Sequence, residues 1–349
     1  MSHPRSAIWP ALAAAALFGA STPLVKLLVG EVPTLLLAGL LYLGSGLGLA
    51  AIRLWRDRGW KPGGMATGEW RWFAGAIVFG GFLGPILLVF GLTHTDAGAA
   101  SLMLNLEAVF TAVLAWVIFK ENADFRIVLG MLLIVAGGAV LAWPTGGGAT
   151  PNWIGPLAIA AACLCWAIDN NLTRRVSNSD ALFIAGAKGW TAGAVNTSLA
   201  LLLGASLPGW STVGAAMAVG LVGYGLSLVL FVLALRKLGT ARTGAYFSTA
   251  PFIGAAIAIL LLGESTPAPF WVAACLMGLG VWLHLTEHHE HEHTHEPLEH
   301  THPHVHDAHH QHKHDVEWDG SEPHSHLHRH LALTHKHPHF PDIHHRHGH

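Results

Sequence analysis

Two groups of residues in this chain could do chemistry, and they lie in very different surroundings. The first is a series of histidines spaced two apart: residues 287–306 read EHHEHEHTHEPLEHTHPHVH, and 24 of the 27 histidines fall between Glu287 and His349. In an extended segment alternate residues lie on one side, and neutral imidazoles ligate Zn, Ni, Co or Cu. The interspersed acids can complete such a shell or orient its rings. The expected metal ligands are His289, His291, His293, His295, His302, His304, His324, His326, His328, His330, His337 and His339.

The second group is polar and embedded in apolar sequence: Glu107 near Asn105, Asp169 followed by Asn170, Lys188 close to Trp190, and Tyr246 close to Ser248. Ionisable groups inside long apolar runs are costly and face a cavity or a partner. Glu107 is the candidate for a proton-coupling or cation-binding carboxylate. The competing reading makes it a neutral acid hydrogen-bonded between helices. Asp169 and Lys188 fall at similar depth, so an ion pair bridging neighbouring helices is expected ahead of substrate binding. All eight residues are the candidate substrate and coupling-ion set.

The elements that must position these groups follow from composition. Of 349 residues, 52% are hydrophobic and 11% are charged, against roughly 25% charged in soluble proteins. Before the tail there are 15 bases and 10 acids, while residues 287–349 hold 4 bases and 11 acids. An integral membrane protein with an acidic, histidine-rich tail is therefore expected. Nothing in the sequence suggests a nucleic-acid partner. Neither a phosphate loop nor a nucleophile elbow occurs, and no enzyme is expected. Cys163, Cys165 and Cys275 lie in apolar runs and read as packing residues.

A spanning helix needs about 20 mostly apolar residues. Such runs fall at 8–29, 33–52, 71–91, 97–119, 125–143, 152–173, 181–203, 212–235, 241–262 and 269–285. Bases cluster in alternate connections: Arg53 to Arg71, Lys120 and Arg126, Arg174 and Arg175, and Arg236 to Arg242. Positively charged loops stay on the cytoplasmic side, which places both the N-terminus and the tail in the cytoplasm of a plasma-membrane protein. Lys26, at the end of span 1, is the exception and reads as a snorkelling base. Trp9, Trp72, Trp143, Trp153, Trp271 and Trp282 read as interface anchors.

Shifting the sequence by 143 residues aligns 94–121 with 237–264, with Glu121 on Glu264 and Ala112 on Ala255. Asn105 then falls on Ser248, and the two would meet near the centre. Each aligned loop is basic in only one copy. Two five-helix halves inserted with opposite orientation are the inverted-repeat plan of secondary transporters. The expected organisation is 1–144 and 151–286 as the two halves, with 287–349 as the tail.

The segments AVFTAVLAWVIFKE (108–121) and PFIGAAIAILLLGE (251–264), with LFGASTPLVK (17–26) and CWAIDNNLTR (165–174), resemble the EamA-type transporters of the drug/metabolite transporter superfamily. Ala108 departs from the family's usual proline, which Pro251 keeps. The resemblance covers residues 8–285 and implies an all-α fold of ten spans working by alternating access. It also implies export of a small organic metabolite or drug-like solute, with no required cofactor. A divalent transition-metal carrier, or a membrane-anchored metal buffer or sensor, is the competing expectation. Expected partners are a small-molecule or ion substrate, the lipid bilayer and a divalent metal, with a homodimer left open.

The tail repeats internally. Shifting by 35 residues aligns 289–314 with 324–349, and every histidine of the second copy falls on one of the first. Few apolar residues are available to form a core, so a disordered segment is expected. HEHTH (291–295) matches the His-Glu-x-x-His pattern, but a zinc protease needs that pattern on a folded helix. Overlapping matches arise here from composition.

Overall fold

A computed structural model describes residues 5–59, 61–119, 125–143, 153–176 and 179–286, and 290–295, 298–304, 324–330 and 333–338 of the tail. The chain divides into two compact units, Met1–Glu287 and His288–His349.

The first unit is built from helices joined by short connections, as long Leu- and Ala-rich runs demand where no water can satisfy backbone groups. The helices are α1 (Arg5–Leu28), α2 (Thr34–Asp57), α3 (Trp70–Ala76), α4 (Gly84–Leu92), α5 (Ala97–Met103), α6 (Leu106–Phe119) and α7 (Phe125–Ala142). They continue with α8 (Ile154–Val176), α9 (Ala181–Leu202), α10 (Trp210–Val219), α11 (Ser227–Phe247), α12 (Ala250–Leu262) and α13 (Ala268–Leu285). Every one of the ten expected spans has a helical counterpart. Spans 3 and 8 are each two α-helices joined by a π-helical segment, Ile77–Leu83 and Gly220–Leu226. Among the described residues, eight helical stretches are long and apolar enough to cross a membrane. Of the remaining two spans, α9 has 22 residues and carries Lys188, while α12 has 13.

Two boundaries differ from the sequence expectation. α11 runs without a break through the basic stretch expected to be the loop after span 8, ending at Phe247. Arg and Lys are good helix formers, so a basic stretch between apolar runs need not interrupt a helix. Span 4 is interrupted at Leu104 and Asn105, between α5 and α6. The two π-helical segments lie 143 residues apart, the same offset as the internal sequence alignment.

Small residues set the helix spacing. At Gly220 a Cβ would fall on the backbone of Leu41, and at Gly44 on that of Met217, so α2 meets the end of α10 and the π-helical segment after it backbone to backbone. Glycines in membrane helices permit this approach. α7 and α13 meet similarly through Gly130 and Gly280. Trp9, Trp143, Trp271 and Trp282 are more than half exposed on the protein surface, where they can meet lipid headgroups.

Polar contacts fix the ends of the bundle. At one end, Arg56 donates to Asp57 at 2.6 Å and to Asp180 at 2.8 Å, and Asp180 also caps α9 by accepting from the Phe183 N–H. Buried Arg53 donates to the Lys61 carbonyl at 2.7 Å. At the other end, Lys26 does not snorkel. Its Nζ donates to the carbonyls of Leu92 at 2.6 Å and Thr95 at 2.7 Å, where α4 leaves carbonyls without intrahelical partners. Glu264 accepts from the N–H groups of Ala97 and Gly98, both at 2.7 Å, at the N-terminus of α5. The 92–98 connection is thus held between a lysine and a carboxylate.

In the tail unit the backbone of the described residues forms strands β1 (Glu290–His295), β2 (Leu298–His304), β3 (His324–His330) and β4 (Leu333–Pro338). β1 pairs antiparallel with β4, and β2 with β3. Composition predicts a segment without fixed structure. The described backbone stretches pair strands of the first repeat copy with strands of the second. His289 and His339 lie outside the described residues.

Candidate functional site

α1, α2, α6, α8, α9 and the π-helical segment with its following helix α11 surround an open cavity of about 80 Å³. Its polar lining is Glu107, Asp169, Asn170, Lys188 and Ser227, and its apolar wall includes Phe18, Trp166, Phe231 and Phe247. Asp169 and Asn170 sit near the end of α8, and Lys188 two turns into α9. The cavity is therefore displaced toward the end of the bundle where α1 begins, away from the clamped 92–98 connection.

The expected ion pair is present. The Lys188 Nζ donates to Asp169 Oδ2, and both side chains are at least 92% buried. Thr173, one turn along α8, donates to the other carboxylate oxygen at 3.0 Å. Glu107 accepts from Asn170 Nδ2 at 2.6 Å, which joins α6 to α8. With both carboxylates ionised, the set carries two negative charges and one positive. That set can compensate its surplus charge with a proton on Glu107 or with a cationic group of a bound solute.

The aromatic wall is built around Phe18. Its ring lies 6.0 Å from those of Trp166 and Tyr224 and 5.3 Å from that of Phe247, and Phe231 meets Phe247 at 4.8 Å. Two polar tips in this wall reach the same backbone oxygen: Tyr42 OH donates to the Gly80 carbonyl at 2.6 Å, and Trp166 Nε1 at 3.2 Å. Gly80 lies inside the first π-helical segment. A π-turn disturbs the regular ladder of backbone bonds, and here two buried aromatic donors occupy a carbonyl within it. A Cβ at Gly80 would meet the Asp169 carboxylate, so the glycine lets this turn lie against the ion pair.

Four of the eight candidate residues line the cavity: Glu107, Asp169, Asn170 and Lys188. The other four do not. Asn105 is buried and donates to Leu102 O at 2.9 Å. Ser248 donates back to Gly244 O at 2.9 Å within its own helix, so the two do not bond to each other. Tyr246 directly precedes the lining residue Phe247 at the end of α11 but is not part of the lining itself. Trp190 is 52% exposed on the outer face of α9. The residues that sequence reasoning missed are Ser227 and the aromatic ones. Phe18 and Trp166 stood within recognised motifs, but no signal separated a cavity-facing ring from a lipid-facing one.

Among the described side chains of the helical unit, no group of three or more His, Cys, Asp or Glu could hold a metal ion. Cys163 and Cys165 are buried, and Cys275 is exposed; all three are free thiols. His284 bonds the Ile127 carbonyl at 3.1 Å and His94 the neighbouring Thr93, so neither faces the cavity.

This chain is similar to a known family, to a curated relative and to a solved structure. The model of the EamA-like transporter family matches twice, over residues 5–143 and 153–286. An uncharacterized transporter of Methanothermobacter thermautotrophicus is 31% identical over 208 residues, which span 58% of this chain and 60% of that protein. One crystal structure of a protein, 21% identical, superposes with a TM-score of 0.62 over 80% of this chain and 98% of its own. It speaks to the fold alone.

Proposed function

We propose, from the premise that this chain belongs to the EamA-like transporter family, that its helical unit exports a small organic solute through the Glu107–Asp169–Lys188 cavity. The solute is expected to carry an ammonium group or a zwitterionic head on an apolar body. The observation that carries this reading is the lining itself: a surplus carboxylate next to a buried ion pair, faced by a wall of aromatic rings. An ammonium group is attracted both by the carboxylate and by the ring faces. Glu107 is the coupling residue, because a proton and a cationic solute neutralise the same surplus charge.

The offset shared by the sequence repeat and the two π-helical segments supports two inverted halves, 1–144 and 151–286, rocking about the cavity. The basic loops support a plasma-membrane orientation with the N-terminus and tail in the cytoplasm. The tail binds a divalent transition metal and either buffers it or regulates the carrier. A metal cargo is disfavoured by the cavity chemistry, which offers carboxylates, an amide and an ammonium but neither thiolate nor imidazole.

Reconstituted vesicles test the reading. Protein with and without residues 287–349 is assayed for flux of pooled organic amines and, separately, of Zn, Ni and Co. Amine flux that persists without the tail supports the proposal. Metal flux that vanishes on Glu107→Gln, with no amine flux, overturns it.

A further inference from the structure

The two tail copies are paired with each other, and the register of that pairing has a chemical pattern. In the β2–β3 ladder His300 stands opposite His328, His302 opposite His326, and His304 opposite His324. The β1–β4 ladder adds two more such pairs, His291 with His337 and His293 with His335. In each ladder, histidine positions of one copy are thus registered against histidine positions of the other at alternate steps. The intervening positions carry a different code. Glu292 stands opposite Lys336 and Glu299 opposite Arg329. Opposite-charge pairs across strands favour a register, and a slip of one residue would exchange the two faces.

Among the described residues each ladder has two strands, and a two-stranded ribbon is at best marginally stable in water. Directly opposed positions in an antiparallel pair are about 4.5–5.5 Å apart at Cβ. Two successive histidine pairs therefore offer four imidazoles over a short length of ladder, the number that a tetrahedral Zn ion takes. Ligands drawn from two segments convert metal-binding energy into folding energy.

We propose that the tail is a metal-closed clip whose Zn-class sites form between the two repeat copies, so that neither copy binds the metal tightly alone. This rests on the preceding reading that the tail binds a transition metal, and it adds the architecture of the sites. The duplication then has a physical role, since each copy supplies half of every site. Metal availability sets whether the 62-residue tail unit is closed or open.

The test uses the full-length chain in detergent with Zn as the probe and a competing chelator to read affinity. Replacing the histidines of the first copy alone, or of the second copy alone, by Ala is expected to weaken tight Zn binding at least ~tenfold. Replacing both is expected to weaken it little further, the non-additivity of groups that act together. Two single-copy variants that each keep half the Zn at unchanged affinity would show independent copies and overturn the clip. A second measurement addresses register. Spin labels at Thr301→Cys and Leu327→Cys, opposed in the ladder, are placed in a Cys275→Ser background. They are expected to couple strongly when Zn is added, and labels at Thr301→Cys and Thr334→Cys are not. Tight Zn binding with the first pair remaining far apart would overturn the clip but leave a metal-binding tail. An intact chain that retains no Zn would overturn both.

Discussion

The buried Asp169–Lys188 pair yields the sharpest energetic prediction. Each side chain is more than 90% shielded, Thr173 supplies one further bond to the carboxylate, and Glu107 is held nearby by Asn170. Removing one member leaves an uncompensated charge, which for buried pairs costs about 3–5 kcal/mol. Replacing both members by neutral groups of similar volume is often close to neutral. Lys188→Met and Asp169→Asn should therefore each lower unfolding stability by about 3 kcal/mol or more, while the double variant loses less than either single one. The assay is reversible unfolding of the purified protein in mixed micelles, with helix content and tryptophan emission as coincident probes. Losses in the two single variants that simply add in the double would refute the claim that this contact is a mutually dependent ion pair. The transport readout then separates roles. A double variant that is stable and transports normally assigns the pair to structure alone, and a stable but inactive one assigns it to the site.

The remaining predictions address other contacts. Glu264→Ala should destabilise the protein by about 1.5–3 kcal/mol, the value of bonds to a charged acceptor, because Ala97 and Gly98 lose their shared partner; unchanged unfolding would remove the clamp. Gly220→Val should abolish recovery of folded protein, because its Cβ would fall on the Leu41 backbone, whereas Gly214→Ala, facing open space, should be tolerated. Equal yields of the two by size-exclusion chromatography would contradict the backbone contact. Trp190→Ala should leave transport within about twofold and cost under ~1 kcal/mol, as surface substitutions usually do, since its ring is 52% exposed. A large transport loss there would put α9's outer face in the pathway.

Much of the fold was legible because a membrane span announces itself by length and apolarity, and all ten spans have helical counterparts. The ion pair was legible for a related reason. Charges in apolar sequence are few, so two of opposite sign at one depth have few alternatives. The rest was hidden by the same uniformity. In a helix that is apolar all round, periodicity does not tell a ring facing a cavity from one facing lipid, so Trp190 was put forward and Phe18 was not. The π-helical segments in spans 3 and 8 add a further obstacle, because each shifts the faces of the residues beyond it relative to a regular helix. Asn105 and Ser248 aligned in sequence, but each donates to a carbonyl three or four residues back in the chain rather than to the other. Lys26 was misread because a base near a span end has two outlets, headgroup or unpaired carbonyl, and the packing of α4 decides which.

The central claim is that an organic cation and a proton use the same surplus carboxylate. Its most direct test is equilibrium exchange of the amine found by vesicle screening, measured across pH in the wild-type protein and in Glu107→Gln at matched insertion. The account predicts wild-type exchange that falls as protons compete and a variant in which exchange is at least ~tenfold slower and insensitive to pH, the loss expected when a buried charge partner is removed. A Glu107→Gln protein that exchanges amine at the wild-type rate, with the wild-type pH response, would contradict it.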